Sequence, residues 1–269
     1  MHLGIIGYGN ISTALTELLQ ADPVIQITVL VRQSSLQRTK EALRSCSAAK
    51  IFEVVTALGD LISAKPDLVV ECADQEAVAK LVPQVLDAGI KTVLASIGAL
   101  ADNDLERKLV LSANAGRAKL ILPAGAIGGI DLLAALAPAG DLSVSYCGTK
   151  PPGAWKGTPA EAILDLDALD ERTVFFIGNA REAARAYPKN ANVASTLALA
   201  GAGFEATKVQ LVADPGAEGN LHAYEVHSQI CQYSMEIRNM SSHGNMKTSV
   251  ATVYSLLREI NRIRHPIVL

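Results

Sequence analysis

The string GIIGYGNISTAL, residues 4–15, stands directly behind the first apolar run of the chain and limits the fold more than any other stretch. A run of β-formers that breaks at Gly-Tyr-Gly and resumes with Ile11, Ala14, Leu15 and Leu18 reads as a strand turning sharply into a helix. Gly7 permits that turn. Gly9 lets the backbone approach a pyrophosphate held at the positive helix N-terminus, which Asn10 and Ile11 open. Ser12 stands where a dinucleotide-binding fingerprint has its third glycine. Any tight βα turn can carry two glycines, but this one follows the first strand, opens a helix and precedes a second β-rich run at the expected distance.

The alternation continues. β-rich runs at residues 3–6, 25–31, 51–55, 68–71, 92–95 and 119–122 are separated by helical patterns at 11–19, 36–44, 75–88 and 102–115, with Asp74 and Gly89 as caps. Right-handed crossovers then make an α/β fold, a Rossmann-type doubly wound parallel sheet over residues 1–123. With 49% hydrophobic but only 4% aromatic residues, the composition suits strands buried on both faces. After Pro123 comes the glycine-rich AGAIGGID, and then alternating runs at 142–149, 173–177, 207–213 and 221–228, with 229–238 close behind. They predict a mixed, mostly antiparallel α/β domain over 124–246, with a helix at 191–200. Residues 247–262 carry Val250, Val253, Tyr254, Leu257 and Ile260 at helical spacing, a stripe expected to pack back on the first domain.

A net charge of -3 without any Lys/Arg block excludes a nucleic-acid binder. The first apolar stretch is short and broken by glycine, so neither a signal peptide nor a membrane span is expected. Cys46, Cys72, Cys147 and Cys231 are far apart and form no CxxC. They read as reduced thiols of a cytoplasmic protein, and no metal-ligand spacing is present.

The end of the second strand bears on the cofactor. NAD enzymes usually place an acid there for the ribose 2′-hydroxyl, whereas VLVRQSS, residues 29–35, offers the cation of Arg32 and the hydroxyls of Ser34 and Ser35. A 2′-phosphate suits such a site, so NADP is expected, with dual use of NAD as the nearest rival.

DLVVECADQEAV (67–78), SIGALAD (96–102), PAGAIGGID (123–131), KPPGAW (150–155), PKNANVASTLALAG (188–201) and GNLHAYEV (219–226) together make the chain resemble the L-aspartate dehydrogenase family over nearly its whole length. Single pieces also suit relatives such as homoserine dehydrogenases. The resemblance implies oxidation of L-aspartate by NAD or NADP to iminosuccinate, which hydrolyses to oxaloacetate and ammonia, and the reverse amination. Some members feed iminosuccinate to pyridine nucleotide biosynthesis. It further implies cofactor contacts at Ala124 and Asn190, an active histidine at His222, and a homodimer made sheet to sheet by the second domains. Ser12 and Arg32 depart from the family's usual turn and strand end.

The reaction so implied needs a base, because the substrate nitrogen must lose a proton before hydride leaves and water must later attack the C=N carbon. Of five histidines, His2 lies in the first strand, His265 lies near the terminus, and His243 is a loop candidate in reserve. His222 and His227 share one predicted strand at odd separation and so face opposite ways; Asn220, His222 and Tyr224 form a polar row suited to a substrate pocket. KNAN, residues 189–192, precedes an apolar helix, where Lys189, Asn190, Asn192 and free N–H groups can hold a carboxylate or carboxamide. The distal carboxylate of aspartate needs a cation or several donors, and Lys150, Lys156, Lys189 and Lys247 are the loop candidates, unranked. Two other readings stay open at this stage: another NADP-linked dehydrogenase, homoserine dehydrogenase-like, and a non-catalytic nucleotide sensor. The sensor would lack a titrating base, which GNLHAYEV argues against.

Overall fold

The structure, a computed structural model, describes residues 1–19, 26–45, 52–242 and 245–267. It divides into two compact units, Met1–Pro123 with Thr252–Leu269, and Ala124–Ala251. Among the described residues no helix is long and apolar enough to cross a membrane.

In the first unit β1 (His2–Ile6), β2 (Gln26–Leu30), β3 (Phe52–Val55), β4 (Leu68–Glu71), β5 (Thr92–Leu94) and β6 (Leu120–Ile121) form one sheet in the order β3-β2-β1-β4-β5-β6. Every neighbouring pair is parallel, as expected from the alternating sequence. The helices between them are α1 (Asn10–Leu19), α2 (Leu36–Ser45), α3 (Leu58–Ser63), α4 (Gln75–Asp87) and α5 (Asn103–Ala115). The six-residue α3 escaped the sequence reading because it is too short for a full amphipathic repeat. Period-two alternation sends Leu3 and Ile5 into one core and Ile6 into another, with Leu15 on the first side and Val85 on the second. The strand order reverses at β1 and β4, so their carboxyl ends border a crevice.

The second unit is a mixed sheet in the order β12-β11-β10-β7-β9-β8, comprising β7 (Ser143–Lys150), β8 (Thr173–Asn179), β9 (Lys208–Ala213), β10 (Gly219–His227), β11 (Gln232–Ser242) and β12 (Asn245–Ser249). Only β7 and β9 run parallel; the other neighbours are antiparallel. Among the described residues this unit contains the α-helices α6 (Ile130–Leu136), α7 (Ala180–Ala186) and α8 (Asn192–Ala200), with α7 packing on β8 and β9 and α8 on β7. One sheet face is covered, burying Val144, Tyr146, Tyr224 and Val226, while Glu225 and His227 of the other face are exposed.

The terminal helix departs from expectation. Residues 245–249 form β12 on the edge of β11, so Lys247 lies in a strand, and α9 spans Val250–Arg264. Antiparallel pairing with the preceding strand overrode the local helical pattern here. The buried stripe is Val253, Leu256 and Ile260, all in the core of the first unit, whereas Val250 and Tyr254 of the expected stripe are exposed. Glu259 is also buried, held by Arg258 at 2.7 Å and Arg262 at 3.0 Å. Leu256→Ala is expected to destabilise the first unit by about 2–5 kcal/mol in chemical denaturation, the cost of a cavity under a fully buried leucine. A loss well below that range would show that α9 is not part of this core.

Candidate active site

At Gly7 the backbone has φ +86°, and a Cβ would lie 2.7 Å from that of Ala73, so only glycine fits where β1 and β4 end together. Its N–H donates to the Leu30 carbonyl at 2.9 Å. A Cβ at Gly9 would meet nothing within 4 Å, which leaves open backbone at the start of α1. Ser12, fully buried in place of the third glycine, clasps the turn: its oxygen accepts from the Gly9 N–H at 2.9 Å and its hydroxyl donates to the Gly9 carbonyl at 3.2 Å. Glu71 fastens the neighbouring strand ends, accepting from Ala73 N–H at 2.7 Å, Ser96 N–H at 2.9 Å and the Ser96 hydroxyl at 3.0 Å. Burial nonetheless pushes its carboxyl up to about 7.

A cavity of about 500 Å³ opens over these strand ends, lined by Gly7, Gly9, Arg32, Ser35, Ala73 and Asp74 among others. Ser35 rather than Ser34 lines it; Ser34 is exposed, and Asn10 (exposed) and Ile11 (half-buried) sit in the first turn of α1 outside the lining. Arg32 donates to Asp74 Oδ2 at 3.2 Å, while the other Asp74 oxygen caps α4 through Ala77 N–H at 2.8 Å. Asp74 is therefore the rim carboxylate that the end of β2 lacks. It comes from the end of β4, so no local pattern around Arg32 could reveal it. Open glycine backbone at a helix start, a cation and a carboxylate on one rim fit the phosphates and ribose of a dinucleotide.

The second unit carries the other set. Asn220, His222 and Tyr224 are buried on the covered face of β10, while His227 is 56% exposed on the other side. His222 Nδ1 and the Tyr146 hydroxyl share a hydrogen bond of 2.7 Å, and the rings lie nearly parallel with centroids 6.0 Å apart. Gly148, paired with His222 across β7 and β10, makes this possible: a Cβ there would lie 2.5 Å from the Tyr146 oxygen. Burial first, and the charge of Lys150 second, push the His222 imidazole down to about 3. Burial lifts the Tyr146 hydroxyl well above its ordinary range, so it stays protonated. Donation from Nδ1 to the Tyr146 oxygen leaves Nε2 free to accept a proton, whereas donation from the phenol to Nδ1 leaves the ring proton on Nε2; only the first tautomer presents a base at Nε2. Tyr146 has no motif of its own, and its pairing with His222 depends on a register between distant strands.

The remaining candidates are spread through their units. Asn190 does not cap α8: its side chain donates to the Ala154 carbonyl at 3.3 Å and the N-cap, Ala191, makes no side-chain bond. It thus ties down the loop that carries Trp155, whose indole N–H donates to the Val212 carbonyl at 3.0 Å. Asn192, half-buried, is the first residue of α8, Lys189 is exposed, and Ala124 is half-buried in the turn after β6. Lys156 is partly exposed and paired with Asp167. Lys150 is 6% exposed, with Nζ 5.3 Å from the Trp155 ring centre, and burial pushes its ammonium down to about 8. His2 is structural, sharing a hydrogen bond of 2.8 Å with Thr28. His243 and Cys46 lie outside the described residues.

His222 has a lower value folded than unfolded, so the unfolded chain takes up the proton first. Its contribution to stability is present above about 6.5 and is lost as pH falls towards about 3. Denaturation of wild type and His222→Gln across that window is expected to show the variant gaining relative stability as pH drops. A constant difference would contradict a neutral buried imidazole.

Residues 7–123 match the family model for the homoserine dehydrogenase NAD binding domain, and residues 131–263 match that for the aspartate dehydrogenase C-terminal region. The L-aspartate dehydrogenase of Ralstonia nicotianae is 40% identical over 269 residues, 99% of each chain. That of Polaromonas sp. is 43% identical over 262 residues, 97% of this chain and 96% of the relative. The crystal structure of aspartate dehydrogenase from Thermotoga maritima is similar with a TM-score of 0.73 at 29% identity, covering 100% of this chain and 99% of that one.

Proposed function

The chain belongs to the L-aspartate dehydrogenase family, and from this we propose that it oxidises L-aspartate with NAD or NADP to iminosuccinate, which water converts to oxaloacetate and ammonia, and that it runs the reverse amination. Residues 1–123 bind the nucleotide, and 124–246 handle substrate and dimerise. The observation that carries the reading is His222, a buried neutral imidazole fastened by Tyr146 in the half of the chain that matches the aspartate-specific model. A homoserine dehydrogenase-like activity is not favoured, because the homoserine model matches only the nucleotide-binding half.

Gly7, Gly9, Arg32 and Ser35, with Asn10 and Ile11 at the helix start and Ala124 and Asn190 as further contacts, hold NAD or NADP, which supplies hydride acceptance when bound. His222 accepts at Nε2 the proton that frees the nitrogen lone pair, releases it to solvent, and then takes a proton from the water that adds to the C=N carbon. Negative charge arriving with the substrate favours the imidazolium form and so raises the basicity of His222 from its low resting value. A panel of L-aspartate, L-homoserine and other amino acids with both nucleotides is expected to give turnover with aspartate. His222→Ala should lower kcat by on the order of 10²–10⁴ without changing nucleotide affinity, and His227→Ala should keep near-normal turnover. The reverse pattern would overturn the choice of base.

Arg32 favours the 2′-phosphate of NADP, and Asp74 on the same rim accepts from the 2′-hydroxyl of NAD. Arg32→Ala is expected to weaken NADP roughly 10- to 100-fold, the range of one charge-assisted hydrogen-bonded contact, with NAD affinity near wild type. Titrations that show equal losses for both would refute the assignment. The enzyme works in the cytoplasm, where Cys72, Cys147 and Cys231 remain free thiols. The open face of the second sheet, which exposes Ile177 at its β8 edge, supports a homodimer through that face.

A further inference from the structure

Lys150 and Asn220, on neighbouring strands of the second unit, are buried with hydrogen-bonding capacity unmet among the described residues. Lys150 is 6% exposed, and among the described residues no oxygen accepts a hydrogen bond from its ammonium; the Trp155 ring is its cation–π neighbour. Asn220 is 8% exposed, and its Oδ1 is buried without a hydrogen bond. The β7–β10 register ends with Thr149 against Leu221 and Gly148 against His222; extended by one residue it would bring Lys150 opposite Asn220, on the face that carries His222. A buried ammonium and a buried amide oxygen without hydrogen-bond acceptor or donor are costly, and such groups are retained where a ligand completes them.

We propose that Lys150, with Asn220 beside it, seats the side-chain carboxylate of the substrate and so makes the enzyme selective for a dicarboxylic amino acid. The inference rests on the aspartate reading above and assigns the residue that recognises the second carboxylate. The Lys150 ammonium donates to the carboxylate, and the Asn220 amide, turned so that its NH₂ faces the ligand, donates as well. The level of this pair lies about 7 Å along the strands from that of His222, two residues of strand rise. A carboxylate one methylene away from the reacting carbon spans that step better than one bonded directly to it. Of the other candidates, Lys156 is engaged by Asp167, Lys189 is exposed and Lys247 lies in β12. The seat also reaches the chemistry. The positive charge of Lys150 helps to hold His222 neutral, so a carboxylate that cancels that charge makes His222 a stronger base.

The test uses the full-length enzyme and Lys150→Met, with Lys150→Gln as a second variant should the first fail to fold. L-Aspartate and L-alanine are compared, binding being read as KM or, without turnover, as a competitive inhibition constant, alongside nucleotide titrations and Tm. Aspartate binding is expected to weaken roughly 10- to 100-fold while that of alanine holds, nucleotide affinity is unchanged, and Tm does not fall because a buried unpaired charge has been removed. An unchanged aspartate KM overturns the seat, as do equal losses for both amino acids. If the wild-type enzyme itself fails to oxidise aspartate, the proposed function falls; if it is active and the variant keeps its KM, only this inference does.

Discussion

The antiparallel pairing of β10 with β7 decides what the second unit can do. In that register His222 lies opposite Gly148, and the missing side chain lets the Tyr146 phenol cross to the imidazole. A slip of one residue would carry His222, Asn220 and Tyr224 to the open face and bring Ala223 and Glu225 inward. The covered face therefore specifies the register from both directions: Val144, Val226 and Tyr224 gain burial in it, and the polar groups gain their neighbours only in it.

Burial then sets the chemistry of the polar groups. Loss of water shifts each of Glu71, Lys150 and His222 towards its neutral form, and only Glu71 is met by several donors. Glu71 serves the architecture, drawing the ends of β4 and β5 together beside the tight Gly7–Ala73 approach. Lys150 and His222 face a sparse environment in which a charged ligand changes the protonation of both. Strain of this kind lowers the stability of the free protein and is concentrated where local rules of good packing are broken.

Trp155 shows how a residue without acid–base chemistry of its own organises such a region. It is fully buried, with Phe175 at 4.7 Å and Tyr187 at 6.0 Å in edge-on contact, and its N–H is satisfied by Val212. Its ring can then neighbour the Lys150 ammonium without supplying a counter-charge. Asn190 holds the same loop at Ala154, so its side chain acts across a tertiary contact rather than on the start of α8.

The parallel sheet was legible in the sequence because its signals are local: alternation of strand and helix, the turn at Gly7 and Gly9, and the caps at Asp74 and Gly89 are all read within a few residues. Strand parity likewise separated His222 from His227. What depended on tertiary structure is non-local. Asp74 reaches Arg32 from another strand end, and Tyr146 meets His222 only through the β7–β10 register. The helical stripe of α9 follows the same division. Its periodicity is visible in the sequence, but which arc of the helix is buried, through Leu256 rather than Tyr254, was decided by the shape of the core that receives it. Sequence by itself determined the periods and the turns, since these arise from backbone and neighbouring side chains; pairing partners, burial and the resulting charge states were set by tertiary structure, since they depend on atoms brought together from distant parts of the chain.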